Sequence, residues 1–168
     1  MNSVKKNNLG FTLIETIIYI GLLALIIIFL VSFFQQSMFA KGKINERLDN
    51  LDNAQYALER MIWYLQNSIE VTEPVSGQVS GQLVANSLVS QKNPIKFYIE
   101  DNKLKMQMGA DEPLNLSNNR LDIKELSFSN QGFINQPAII QIKLTVQGNN
   151  NLWQTQPLTL QTSVKLER

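Results

Sequence analysis

The chain has 168 residues, with 15 Lys and Arg against 14 Asp and Glu, 44% hydrophobic and 17% charged residues, and neither His nor Cys. Those two absences remove imidazole acid–base chemistry, thiolate nucleophiles, dithiol redox chemistry and the usual zinc sites, so no catalytic site, metal or cofactor is expected. A formal charge of +1 supplies no field for gathering phosphates, which makes nucleic acid an unfavoured partner.

The apolar residues are concentrated near the N-terminus. A short polar stretch with Lys5 and Lys6 precedes a segment from Thr16 to Ala40 that contains no charged residue. As a helix, Phe11 to Phe34 covers roughly 36 Å, enough for a hydrocarbon core of about 30 Å. A cleaved secretory signal is the competing reading, but its apolar core runs about 7 to 15 residues and ends at a small-x-small site. Here the run is longer, and the following QQSMFAKG has no such site. Lys5 and Lys6 lie on one side of the segment and Lys41, Lys43 and Arg47 on the other, so the distribution of positive charge does not set its orientation.

Glu15 is unusual for a plain anchor. A carboxylate at the centre of a bilayer costs about 2.5 to 3.5 kcal/mol, so an acid on the edge of an apolar run calls for a cationic partner. The residues around it, Leu9-Gly10-Phe11-Thr12-Leu13-Ile14-Glu15, behind a leader with two lysines and ahead of an unbroken apolar helix, resemble the class III signal of type IV prepilins and pseudopilins. The resemblance implies that a prepilin peptidase cuts after Gly10 and that Phe11 becomes an N-methylated N-terminus. It further implies that Glu15, at the fifth mature position, pairs with the N-terminal amine of a neighbouring subunit. Such a pair adds little net stability, yet removing one member strands the other, at about 3 to 5 kcal/mol, so it acts as a register device.

Beyond Lys41 the apolar positions Ile44, Leu48, Leu51, Leu58, Ile62, Leu65 and Ile69 recur in a heptad broken by Gln55. No proline lies between Phe11 and Ile69, so a single helix of about 85 to 90 Å is expected, its outer half amphipathic. Docking of that stripe on a sheet is favoured over a coiled coil, because Tyr56, Met61, Trp63 and Tyr64 widen it. Where many major pilins carry a proline midway along the apolar segment this chain has Ser32, leaving Gly21 and Gly42 as the weak points.

After Glu70 the composition turns to Gly, Pro, Ser, Asn and Gln, and residues 72–93 read mainly as loop, with short strand pieces around Gln78 to Ala85. Ile95 to Glu100 and Lys103 to Met108 alternate around Asp101-Asn102, which predicts a tight hairpin. Further strands are predicted over Leu121 to Ser129, Ala138 to Gln147 and Leu158 to Leu166, each with one apolar face. Lys92, Lys96, Lys103 and Lys105, interleaved with Tyr98, read as a solvated edge rather than a DNA-binding patch.

The expected fold is α+β: a long N-terminal helix, half membrane anchor and half amphipathic, packed on an antiparallel sheet, as in pilins. The expected organisation is a leader over 1–10, a transmembrane half over 11–40, an amphipathic half over 41–70 and an extracytoplasmic β-rich domain over 71–168. The resemblance implies a structural subunit, minor or priming, of a type IV pilus or type II secretion pseudopilus. Its partners would be other such subunits, the peptidase and methyltransferase, an inner-membrane assembly platform and the lipid bilayer. The alternative is a single-pass anchored protein that never polymerises and binds a ligand through its β domain.

Overall fold

The computed structural model describes residues 11–87, 92–132, 137–149 and 156–166. It opens with one α-helix, α1, over Leu13–Gln66. Gly21, Ser32 and Gly42 do not interrupt it, and the Ser32 hydroxyl is satisfied within the helix, donating to the Ile28 carbonyl at 2.9 Å. The chain divides into two compact units, one ending at Gly42 and the other beginning at Lys43, and α1 contributes to both.

In the first unit the helix is long and apolar enough to cross a membrane. None of its residues from Leu13 to Ala40 is buried. Its backbone donors and acceptors are paired within the helix, which is the condition for standing in hydrocarbon.

In the second unit α1 ends at Gln66, three residues short of the expected Ile69. The stop is made by side chains: Asn67 Nδ2 donates to the Trp63 carbonyl at 2.7 Å, which also accepts from the Asn67 amide at 3.3 Å, and Ser68 Oγ donates to the Tyr64 carbonyl at 2.7 Å, capping carbonyls of the last turn. The chain then enters β1 (Ser68–Glu73), β2 (Val79–Ser80) and β3 (Leu83–Ser87). The strand pieces expected around Gln78 to Ala85 are present as β2 and β3, and the expectation of loop is corrected at Thr72 and Glu73, which belong to β1, and at Asn86 and Ser87, which extend β3. Only residues 74–78 make the turn between β1 and β2, with Gly77 at φ 80°, while β1 and β3 pair antiparallel from Ser68↔Ser87 to Glu73↔Val84. Residues 88–91 lie outside the described set.

The predicted hairpin is present as β4 (Ile95–Glu100) and β5 (Lys103–Met108), in register from Ile95↔Met108 to Glu100↔Lys103. Asp101 and Asn102 have φ of 53° and 58°, the left-handed pair that a type I′ turn requires. A two-residue β6 (Leu114–Asn115) follows, then β7 (Leu121–Asn130), β8 (Ile139–Gly148) and β9 (Leu158–Lys165), close to the three predicted strands. A bulge between Ile123 and Glu125 shifts the alternation by one residue, so that Leu121 and Ile123 and then Leu126 and Phe128 all point inward.

The strands form two antiparallel sheets where one was expected, ordered β1-β3-β4-β5-β6 and β2-β7-β8-β9. At their junction Ile123 N donates to the Asn102 carbonyl at 2.8 Å. One core serves both, joining Phe97, Leu104 and Met106 of the first sheet to Phe128, Ile140, Ile142 and Leu144 of the second and to Met61 and Leu65 of α1. Each such side chain contributes about 1.5–3 kcal/mol when fully buried. The α+β class is as the sequence indicates, a long apolar N-terminal helix packed on antiparallel sheets.

The buried face of the helix shares Leu58 and Leu65 with the heptad stripe but is turned partly away from it. Asn50, Ala54, Ala57, Leu58, Met61 and Leu65 are buried, whereas Ile44, Leu48, Gln55 and Ile69 are exposed and Leu51 and Ile62 are half-buried. Tyr56 and Trp63 are also exposed. Size explains the rotation. Ala54 and Ala57, both at 0% exposure, are small enough to pack into the core that Phe97 of the first sheet and Phe128 of the second fill, a place that bulky Leu48 and Ile44 would crowd.

Candidate processing and assembly site

Gly10, Lys5 and Lys6 lie outside the described residues, so the bond before Phe11 is seen from its C-terminal side only. Phe11 and Thr12 precede the helix in irregular backbone, and α1 begins at Leu13. Thr12 is its cap: Oγ1 accepts a hydrogen bond from the Glu15 amide at 3.3 Å, in the Thr-x-x-Glu pattern that marks helix starts. The Thr16 hydroxyl donates back to the Thr12 carbonyl at 3.2 Å. These local bonds fix where the helix starts, and they leave Phe11 as a 74% exposed residue immediately outside it.

Glu15 sits in the first turn, where the helix dipole favours an anion. Its Oε1 accepts a hydrogen bond from the Tyr19 hydroxyl at 3.3 Å. The Phe11 ring meets the Tyr19 ring edge-on, centroids 5.9 Å apart and planes at 71°. Phe11, Thr16, Tyr19, Ile20 and Leu23 line a shallow, open apolar depression of about 380 Å³. The two functional residues singled out by the sequence, Phe11 and Glu15, thus meet a common neighbour. Sequence reasoning missed Tyr19. Its position four residues after Glu15, on the same helix face, is the signal that could have found it.

The lysine cluster around the hairpin is divided by its partners. Lys103 Nζ donates to the carbonyls of Asn119 at 3.1 Å and Leu121 at 2.7 Å and to Asp122 Oδ1 at 3.2 Å. Lys105 pairs with Glu100, whose hydrogen bond holds the ammonium above the ordinary lysine range. Lys96 is half-buried on β4 and Lys92 is exposed. Two of the four lysines are therefore engaged with acids of the same domain, and the arrangement is that of a charge-balanced surface.

No family model matches this chain, and neither a curated protein nor a solved structure matches it. Its function is therefore argued from its own residues. What the fold establishes is a membrane-anchored chain: a single apolar helix of membrane-crossing length, and a separate β-sheet domain built around one core.

Proposed function

We propose that this chain is a structural subunit, minor or priming, of a type IV filament system, either a pilus or a type II secretion pseudopilus. It enters the cytoplasmic membrane as a single-pass precursor with its β domain outside. A prepilin peptidase cuts after Gly10 and Phe11 is methylated. An assembly platform then moves the chain from the bilayer into a filament, where Glu15 meets the amine of a neighbour's Phe11. Its partners are other pilin or pseudopilin subunits, the peptidase and methyltransferase, the platform and, before assembly, lipid. We assign it no catalytic role and no nucleic acid partner.

One observation carries this reading. An apolar helix with no buried residue from Leu13 to Ala40 bears a carboxylate one turn inside its start, directly after the sequence Gly10-Phe11-Thr12. An anchor needs the apolar run but has no use for the acid. A helix that exchanges lipid for other helices uses both, the run as its packing surface and the acid to fix axial register.

The test is intact mass and N-terminal fragment sequencing of the protein from cells that contain a prepilin peptidase. A chain beginning with methylated Phe11 is expected, and Gly10→Val should leave the leader in place. A chain that retains Met1, or is cut on the far side of the apolar helix, would instead make it a non-polymerising anchored protein with a ligand-binding β domain.

A further inference from the structure

Glu15 differs from its surroundings. Every other residue from Phe11 to Lys41 is exposed, whereas Glu15 is half-buried. Its polar contacts come from the same helix: the Tyr19 hydroxyl lies 3.3 Å from its carboxylate, and Thr12 Oγ1 holds its amide. Tyr19 in turn carries the Phe11 ring against its own. Among the described residues of the first unit, Tyr19 is the side chain that touches both ends of the proposed processing and assembly site.

We propose that Tyr19 is a positioning residue for Glu15: its hydroxyl holds the carboxylate while the chain stands alone in a bilayer, and yields it to a cation brought by a neighbouring helix. The second half rests on the filament reading; the first does not. Hydrocarbon offers a carboxylate no donor, and a donor four residues along the same helix cannot diffuse away. The chemical type of the donor is as important as its place. A lysine or arginine there would neutralise Glu15 for good, since displacing it would leave a bare cation in the membrane. A phenol donates without charge, and on release its hydroxyl can turn towards the polar interface that tyrosines favour. The edge-on Phe11 ring limits where the phenol can swing, so the residue proposed to become the N-terminus also braces the donor.

The test has two arms, both on the full chain. In the first, the precursor is reconstituted without peptidase in phosphatidylethanolamine–phosphatidylglycerol vesicles, with its tyrosines carrying carbon-13 at Cζ. Solid-state NMR then reads the phenolic carbon, and Tyr19→Phe identifies the Tyr19 signal. Glu15→Ala should move that signal and leave those of Tyr56, Tyr64 and Tyr98 in place; an unmoved Tyr19 signal overturns the proposal. In the second, the ratio of filament to membrane protein is measured in assembling cells. Tyr19→Phe keeps the ring but removes the competing donor, so with cleavage unchanged the ratio should rise severalfold, up to about tenfold for a hydrogen bond of ordinary strength. Tyr19→Phe in a Glu15→Ala background should add nothing to Glu15→Ala alone. A fall in the ratio for Tyr19→Phe would overturn the exchange. If the unaltered chain enters no filament while the vesicle arm succeeds, the filament reading and the exchange fail together and the hold of Tyr19 on Glu15 stands.

Discussion

Lys103 ties the second unit together at a point where neither sheet does so by strand pairing alone. It begins β5 in the first sheet, and its ammonium reaches two carbonyls and the Asp122 carboxylate at the start of β7 in the second. The side chain is 17% exposed, so water replaces these contacts poorly. Lys103→Met keeps most of the aliphatic stem but leaves Asp122 with only Lys124, 3.8 Å away. It should lower unfolding stability by about 1.5–3 kcal/mol, the range for hydrogen bonds to charged groups, in a urea titration of the full chain in detergent micelles. Asn102, next to it, is held at φ 58°. Asn102→Gly should be neutral or slightly stabilising. Asn102→Val should cost at least about 1–2 kcal/mol in the same titration, because a β-branched residue resists the left-handed region. The turn was legible because Asp-Asn is a pair that tolerates positive φ. The reach of Lys103 was not, because its acceptors are mainly backbone carbonyls, which leave no trace in the order of side chains.

At the scale of the element, α1 shows what periodicity can and cannot settle. The heptad of Ile44, Leu48, Leu51, Leu58, Ile62 and Leu65 predicts a helix and an amphipathic one, and both are present. The face it predicts only partly overlaps the true one, which runs through Asn50, Ala54, Ala57, Leu58, Met61 and Leu65. Hydropathy ranks leucine and isoleucine above alanine, whereas a helix close to a sheet of phenylalanines ranks small residues first, and that preference belongs to the partner surface. Met61→Ala should therefore cost about 2–5 kcal/mol and Leu48→Gln less than about 0.5 kcal/mol in urea titration. Comparable losses at the two positions would restore the heptad face. The strands β4, β5, β8 and β9, and β7 on either side of its bulge, were legible because they alternate over one face, and the pieces expected around Gln78 to Ala85 anticipate β2 and β3; the two exposed residues of β6 carry no alternation, and β1, which pairs with β3, begins inside the span read as helix. Their pairing is set by contacts between residues far apart in sequence, and the register shifts in β1 blur what alternation it has.

For the whole molecule, the candidate site and the fold were legible to different degrees. Gly10, Phe11 and Glu15 form a local motif whose meaning lies in spacing along the chain, and spacing is what a sequence records. The two-sheet division is not local: it depends on β7 being edged by the two-residue β2 on one side while β8 and β9 extend it on the other. A whole-molecule prediction follows from Glu15, the carboxylate of the first unit. Glu15→Ala should leave membrane insertion and the cut before Phe11 nearly intact while sharply lowering incorporation into filaments, read as the sheared fraction against the membrane fraction. Normal incorporation would remove the charge pair from the mechanism.

The uncovered helix of the first unit has one more consequence. Because none of its described residues from Leu13 to Ala40 is buried, this half of the molecule has no interior of its own; whatever medium surrounds it takes that part. Its backbone, by contrast, is fully self-sufficient, with each hydrogen bond closed four residues away along the same strand of chain. Shape and solvation are thus uncoupled. A move from lipid to the company of other proteins would exchange one set of neighbours for another without requiring any of these backbone hydrogen bonds to find a new partner.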